Sequence, residues 1–219
     1  MELLIATLAH TARGANEEAL ARVRLVVDTM KNVPGIMNTR LYAGRDNEGC
    51  YFILTSWEDE ESWRRAQEQE RQNPRDLLLS TGSELLTTAP EQWQMYYLWG
   101  YSRPSAQPTI AAAHLATVRP DATERIQRNW IETLQRQASQ LTLAFAFLTR
   151  GRNVDRASYG INGSAAQQEN AGGSSFLNLL SWPDETQQKE FYADLHYKAL
   201  RGHLNQVGME RVIMLEPRP

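Results

Sequence analysis

The chain has 219 residues, of which 42% are apolar, and a formal net charge of −3. A slightly acidic pI of about 5.9 without a basic stripe argues against nucleic-acid binding. No stretch approaches the roughly 20 apolar residues that span a bilayer, and the start carries no cationic leader. The single Cys50 can form neither an intrachain disulfide nor a cysteine metal cluster. These properties predict a cytoplasmic globular protein.

The first half of the chain predicts the order strand, helix, strand, strand, helix, strand. A Pro34-Gly35 break ends the first helix, and a polar turn joins the second and third strands as a hairpin. The strands are expected at 3–9, 36–43, 51–57 and 92–101. The helices are expected at 17–31, after an N-cap at Asn16, and at 58–72, with a short helical segment at 76–86.

The second half repeats the first. Leu41 and Gly44 recur as Leu148 and Gly151, 107 positions later. The Ser-Trp pair that ends at Trp57 recurs 125 positions later, so the second copy carries about 18 additional residues. A period of this length predicts a duplicated domain. The second set of strands is expected at 109–118, 141–149, 175–182 and 211–215, with helices around 126–134 and at 184–195.

The duplication divides the chain into predicted domains. We expect a first repeat at 1–103, a linker at 104–108 and a second repeat at 109–219. The additional residues fall at 156–174, in the hairpin of the second repeat, where Gly, Ser, Asn and Gln dominate. Such a segment is either a lid or disordered, and the sequence leaves both open.

Two short motifs carry a family resemblance. The strand order is the ferredoxin-like split arrangement. Within it, Pro34-Gly35 before the second strand and the run Ser-Trp57-Glu-Asp59-Glu at the end of the third resemble the antibiotic biosynthesis monooxygenase family. The segment around Trp182 is similar to a second, more divergent example that lacks the Pro-Gly pair.

The resemblance implies an α+β fold in which two ferredoxin-like βαββαβ repeats pair their antiparallel sheets into a dimeric-type α+β barrel. Here one chain could supply both sheets, because each four-stranded sheet covered by helices on one face needs a partner for the other. We therefore expect a monomer with an internal pseudo-dimer, or a homodimer. The resemblance also implies a small apolar or aromatic ligand, with no nucleic acid and no membrane as partner.

The family includes enzymes that oxygenate electron-rich polycyclic phenols without metal or flavin, and relatives that degrade haem. The resemblance thus implies a cofactor-independent monooxygenase, an oxidoreductase that holds a small aromatic or polyketide-like substrate between sheet and helices. One alternative is a non-catalytic protein that binds a small molecule. Another is a haem-binding or haem-degrading protein with His114 or His203 as axial ligand. The haem-degrading relatives place a Trp and a His where this chain has Phe191 and Arg201.

Strand alternation provides a list of candidate site residues. We place Leu54 and Leu179 beneath the helices, and likewise Leu41 and Leu148, so that their neighbours line the opposite face. His114 is the candidate base, with Asn178 or Arg40 as donor to an oxyanion. The candidate substrate-binding residues are Asn38, Tyr42, Tyr51, Trp57, Phe145, Phe147 and Trp182.

Several of these residues have structural interpretations as well. Trp57 and Trp182 occur in both halves, which favours a role in closing the corner between strand and helix. His114 could be a hydrogen-bonded core histidine, and Arg40 could belong to an ion pair. His196 and His203 lie seven residues apart but have no third ligand that would indicate a zinc site.

Overall fold

The computed structural model describes residues 3–12, 14, 16–46, 49–69, 73–154 and 173–218. The predicted insertion at 156–174 therefore lies outside the described residues, apart from its last two positions. Among the described helices, none is long and apolar enough to cross a membrane.

The predicted order of elements is confirmed in both halves. The first half contains β1 (Leu3–His10), α1 (Asn16–Met30), β2 (Ile36–Gly44), β3 (Cys50–Trp57), α2 (Glu60–Glu68), α3 (Pro74–Gly82) and β4 (Glu91–Ser102). The second half contains β5 (Ile110–Val118), α4 (Thr123–Ser139), β6 (Phe145–Asn153), β7 (Ser174–Trp182), α5 (Glu185–Ala193), α6 (Leu195–Val207) and β8 (Gly208–Arg218). The fold class is α+β and ferredoxin-like. Within the first unit β1 pairs antiparallel with β3 and β4, and β3 pairs with β2; within the second, β7 pairs antiparallel with β5 and β6.

Two compact units divide the chain. The first comprises 1–96, 153–155 and 215–219, and the second comprises 97–152 and 156–214. Strands β4 and β8 each contribute residues to both units. Each unit has its own apolar core between strands and helices.

The short motifs of the sequence have structural explanations. Gly35 has a φ of 87°, and a Cβ atom added to it would lie 2.5 Å from Cβ of Ser62 in α2. The Gly35 carbonyl accepts a hydrogen bond of 2.8 Å from the amide of Glu58. Asp59 then caps α2 by accepting from the amide of Ser62, and Asp184 caps α5 in the same way. The motifs therefore fix where a helix begins relative to the strand before it.

Strand β6 begins later than predicted. Leu141, expected in the strand, has a φ of 56° and donates its amide to the carbonyl of Ala138 at the end of α4. This left-handed residue terminates the helix, and β6 starts at Phe145. The helix predicted at 184–195 ends at Ala193, and Asp194 caps a separate helix, α6, by accepting from two of its first amides.

The predicted orientation of Leu54 and Leu179 is wrong. The core of the second unit brings Phe176, Leu180 and Trp182 of β7 against the helices, so Leu179 faces the other side of the strand. In the first unit Ile53, not Leu54, belongs to the helix-facing core. The error arose because every residue of β3 is buried, so the pattern of apolar residues does not reveal which face the helices cover. Leu41 and Leu148 do face the helices, as predicted.

Candidate functional site

A buried histidine occupies the centre of the helix-facing side of the second unit. His114 of β5 corresponds to Thr7 of β1, and its side chain is fully buried. Ala112 and Ala116, its neighbours on the same face, belong to the core beneath the helices. The small alanine side chains leave room for the imidazole, which lies 5.7 Å from the ring of Trp130, measured between centroids.

Both ring nitrogens of His114 have hydrogen-bond partners. Nδ1 lies 2.9 Å from Oε1 of Glu210 in β8, and Nε2 lies 3.1 Å from the hydroxyl oxygen of Tyr192 in α5. The Glu210 side chain is 2% exposed. An ionised carboxylate can only accept, so Nδ1 carries a proton and, in the neutral imidazole, Nε2 accepts from Tyr192. The arrangement resembles the orientation of a catalytic histidine by a buried carboxylate.

One cation lies near the buried carboxylate. Nε of Arg201 in α6 is 3.4 Å from Oε2 of Glu210, although the geometry does not make a hydrogen bond. The Arg201 side chain is 53% exposed, so the cation beside the buried carboxylate is itself in contact with solvent. A buried carboxylate requires such compensation, because removal of its hydration costs several kcal/mol.

Aromatic rings surround the imidazole. The Tyr192 ring stacks on it at 5.9 Å between centroids, and the Tyr197 ring meets it edge-on at 5.9 Å. Trp182 of β7 lies 5.5 Å from Tyr192 and 5.4 Å from Phe191. The residues of this group, called the His114 cluster below, are His114, Trp130, Asn178, Trp182, Tyr192, Tyr197 and Glu210.

Several buried polar atoms of the His114 cluster have no hydrogen-bond partner among the described residues. Asn178 is the direct cross-strand neighbour of His114, and neither its amide nitrogen nor its oxygen is paired. The same holds for the indole nitrogens of Trp130 and Trp182 and for the hydroxyl of Tyr197. Each unpaired group costs about 1–3 kcal/mol. This concentration of unpaired groups makes the His114 cluster the candidate functional site.

The two tyrosines remain protonated near neutral pH. Burial raises the pKa of both Tyr192 and Tyr197 well above the usual value, and the negative charge of Glu210 raises it further. Arg201 opposes the shift weakly. Both hydroxyls are therefore available as hydrogen-bond donors.

At the equivalent positions of the first unit, the buried polar side chains hydrogen-bond to one another. Thr7 accepts a hydrogen bond of 3.0 Å from the side-chain amide of Gln92. Ile53 occupies the position of Asn178, and the indole nitrogen of Trp57 donates to Oγ1 of Thr55 at 2.8 Å. The second unit has Leu180 in place of Thr55, which explains why Trp182 lacks a partner. At these equivalent positions, unpaired polar atoms therefore distinguish the second unit from the first.

Three of the predicted site residues lie together. His114, Asn178 and Trp182 belong to the His114 cluster. Phe145 and Phe147 have rings 5.8 Å apart and alternate along β6 with the core residues Ala146 and Leu148, so they face away from the helices.

The other predicted site residues belong to the first unit. Tyr51 and Trp57 lie in its helix-facing core. Asn38, Arg40 and Tyr42 lie on the opposite face of β2, because Leu41 and Ala43 face the helices. Arg40 hydrogen-bonds to Tyr42, whose pKa is raised by burial and lowered in part by this contact. The structure therefore does not place these three residues on the same face as His114.

Sequence reasoning did not select the partners of His114. Glu210 and Tyr192 lie 96 and 78 residues further along the chain. Trp130 and Tyr197 are not among the predicted site residues either. No local pattern distinguishes Glu210 from other acidic residues, and only a pairing of β5 with the end of the chain could have indicated it.

The structure gives little support to a haem ligand. His114 could bind iron only by breaking one of its two hydrogen bonds. Phe191 packs against Trp182, and Arg201 is paired with Glu210. His203 contacts the side-chain amide of Asn129 instead. Within the described ranges, no three His, Cys, Asp or Glu side chains are placed to hold a metal ion.

Two clefts on the second unit lie between α4 and α6. One has a volume of about 520 Å³ and the other about 380 Å³, and both are lined by Arg136 and His196. His203 lines the smaller cleft. His114 lines neither of them.

Comparison with known proteins supports the predicted family. Residues 1–72 match the family model described as antibiotic biosynthesis monooxygenase. The predicted resemblance is thereby confirmed for most of the first repeat. No protein with a curated description matches the sequence.

Solved structures share the fold over the full length. The crystal structure of an anthrone oxidase-like protein has a TM-score of 0.73 and 12% identity, covering 100% of this chain and 92% of its own. A provisionally assigned monooxygenase from Lactobacillus acidophilus has a TM-score of 0.63 and 10% identity, with coverages of 99% and 93%. A major regulator of staphylococcal pathogenesis has a TM-score of 0.55 and 9% identity, with coverages of 99% and 99%. At these identities the likeness shows the fold alone.

Proposed function

We propose that this protein is a cofactor-independent monooxygenase that acts on a small aromatic or polyketide-like phenol at the His114 cluster. The observation that carries the proposal is the unpaired amide of Asn178 directly beside the buried His114–Glu210 pair. A carbanion mechanism needs a base of fixed tautomer, a donor to the developing oxyanion and a largely apolar enclosure. The proposal assigns these three roles to His114, to the amide of Asn178 and to the aromatic rings of the His114 cluster.

The proposed reaction converts the CH₂ group of an anthrone-type phenol to a carbonyl. A proton is removed first, and the amide of Asn178 stabilises the resulting oxyanion. The carbanion then reacts with dioxygen, of which one oxygen atom enters the product. The other oxygen leaves as water together with the two hydrogens of the CH₂ group. Dioxygen is the oxidant, and the step balances without a metal or flavin.

The family match and the fold support this choice of reaction class. The matched residues 1–72 belong to the first repeat, whereas the unpaired polar atoms of the His114 cluster belong to the second unit. This separation fits a division of roles between the repeats. The first keeps the structural motifs of the family, which are Pro34-Gly35 and Trp57 with the helix cap that follows it. The second provides the site. One neighbour in fold is described as anthrone oxidase-like, which suggests the first substrate to test.

The test is oxygen uptake by the purified full-length chain with anthrone, in the presence of a metal chelator. We expect stoichiometric formation of anthraquinone, and its loss in His114→Ala and in Asn178→Ala. Thr7→Ala is the matched control, because Thr7 occupies the position of His114 in the first unit. Activity that persists in Asn178→Ala would contradict the proposal. Binding of anthrone without oxygen uptake would support the non-catalytic alternative instead.

A further inference from the structure

We propose that Tyr192, rather than His114, contacts the substrate hydroxyl, and that the proton passes through Tyr192 to His114. Glu210 and Arg201 are then positioning residues for this transfer. The inference rests on the proposed function and assigns a residue that the sequence did not select. It follows from three observations on the hydrogen bonds and the burial of the His114 cluster.

The first observation is that His114 has no free ring nitrogen. A general base must reach the proton that it removes, at about 2.6–3.2 Å between heavy atoms. Nδ1 is occupied by Glu210, and the lone pair of Nε2 receives the hydroxyl of Tyr192. A substrate that bonded directly to Nε2 would displace Tyr192, whereas a substrate hydroxyl that bonded to the oxygen of Tyr192 would leave both hydrogen bonds of His114 in place.

The second observation is that Tyr192 ends the chain of hydrogen bonds that begins at Glu210 and passes through His114. His114 is 1% exposed, whereas Tyr192 is partly buried. A hydroxyl oxygen donates one hydrogen bond and accepts up to two. The Tyr192 oxygen therefore keeps a lone pair for a substrate hydroxyl while its own proton points to Nε2.

The third observation concerns charge. Transfer of a proton to His114 creates an imidazolium in a site with few solvent contacts, which is unfavourable without a compensating anion. Glu210 supplies that anion at 2.9 Å, and Arg201 of α6 keeps the carboxylate paired while the imidazole is neutral. The titratable and charged side chains that reach this group are Glu210 from β8, Tyr192 from α5, and Tyr197 and Arg201 from α6.

The step is a double proton transfer. The substrate reacts as its enol (anthrol) tautomer: its O–H bond breaks, its proton goes to the oxygen of Tyr192, and the resulting anion is delocalised onto the carbon of the former CH₂ group. At the same time the Tyr192 O–H bond breaks and that proton goes to Nε2 of His114. The products are a substrate anion and an imidazolium hydrogen-bonded to Glu210, and Tyr192 ends as it began. No electron is transferred, so the step needs no oxidant.

One readout tests the hydrogen-bonded chain in the free protein. We would record the ¹⁵N resonances of the His114 ring by NMR in the wild type and in Tyr192→Phe. We expect a protonated Nδ1 and a hydrogen-bonded Nε2 in the wild type, and a shift of Nε2 alone in the variant. An Nε2 resonance unchanged by Tyr192→Phe would overturn the proposal, whatever the activity.

A second readout tests the transfer itself. The probe is 1,8-dihydroxyanthrone under nitrogen, whose anion absorbs at longer wavelength than the neutral form. We expect the wild type to bind it as the anion, and Tyr192→Phe to bind it in the neutral form. The control is Tyr96→Phe, which removes a tyrosine hydroxyl that bonds to the carboxylate of Glu60 in the first unit. If Tyr192→Phe also binds the probe as its anion, as the wild type is expected to do, the proposal is overturned.

Turnover separates this inference from the proposed function. We expect Tyr192→Phe to lower kcat by about 10²-fold or more, as for loss of a general acid–base group. Glu210→Gln keeps an acceptor for Nδ1 but removes the charge, so it should lower kcat with little change in KM. If Tyr192→Phe and the wild type turn over equally while His114→Ala is inactive, the inference fails and the function stands. If the wild type neither binds nor oxidises the probe, both fail.

Discussion

Asn178 lies directly across from His114 on the adjacent strand, and its side-chain amide has no partner among the described residues. The neighbouring histidine, by contrast, has both ring nitrogens hydrogen-bonded. A buried amide with neither atom paired reduces stability, and proteins retain such groups chiefly at functional sites. The contrast between these two residues underlies the first prediction.

Replacing Asn178 by leucine should stabilise the protein and abolish its activity. Leucine has the same number of side-chain heavy atoms and removes two unpaired polar atoms, so we expect a gain of about 1–3 kcal/mol in the free energy of unfolding. For a chain of this size, that gain corresponds to a rise in Tm of roughly 2–12 °C. Thermal unfolding followed by circular dichroism measures the first effect, and oxygen uptake with anthrone measures the second.

The control for Asn178→Leu is the opposite change, from an apolar residue to asparagine, at the equivalent position of the first unit. Ile53 occupies the position of Asn178 in the first unit, so Ile53→Asn buries an amide where the core is apolar. It should lower the free energy of unfolding by about 2 kcal/mol or more. A loss of stability in Asn178→Leu would show instead that the Asn178 amide is structurally satisfied.

The two equivalent tryptophans should respond differently to replacement by phenylalanine. Both are fully buried, but only Trp57 donates a hydrogen bond, to Thr55. Trp57→Phe leaves that hydroxyl unpaired, so we expect it to cost about 1–2 kcal/mol more than Trp182→Phe. Urea unfolding of both variants without ligand measures the difference. An equal cost would mean that the indole nitrogen of Trp182 also has a partner.

Stability should fall in alkali because of the buried tyrosines. The pKa of Tyr197 is raised above the unfolded value of about 10 by burial and by Glu210. Above about pH 10 the unfolded chain binds fewer protons than the folded chain, so the free energy of unfolding decreases as the pH rises. Below about pH 10 the contribution of Tyr197 is fully present.

Replacing Tyr197 by phenylalanine should weaken this dependence. Each such tyrosine contributes a slope of up to about 1.4 kcal/mol per pH unit in this range. Urea unfolding between pH 8 and pH 11 should therefore give a shallower slope for Tyr197→Phe than for the wild type. Tyr97→Phe, at an exposed tyrosine, serves as the control. An unchanged slope in Tyr197→Phe would contradict the prediction.

Gly35→Ala should destabilise the protein for two separable reasons. The φ of 87° is unfavourable for alanine, at about 1–2 kcal/mol, and the new Cβ would lie 2.5 Å from Cβ of Ser62. Ser62→Gly removes the second cause but not the first. The double variant should therefore lose less stability than the sum of the single variants. Additive losses in urea unfolding would show that the contact with Ser62 has no energetic role.

The sequence predicted the elements well where the signal is local. The repeat, the Pro34-Gly35 break and the capping aspartates Asp59 and Asp184 each depend on residues within a few positions of one another. It was less successful with β6, because the left-handed turn at Leu141 carries no glycine to reveal it. For the site, it selected His114, Asn178 and Trp182 but grouped them with residues of the first unit that lie on another face.

The duplication, the order of strands and helices and the resemblance to a family were determined by the sequence itself, because turn residues, caps and apolar spacing act over short distances. Which face of β3 and β7 lies under the helices was decided only by the tertiary structure, since those strands are buried along nearly their whole length. The same is true of the partners of His114. Glu210 and Tyr192 reach it from 96 and 78 residues away, and contacts over such separations depend on how the strands and helices pack rather than on any local pattern.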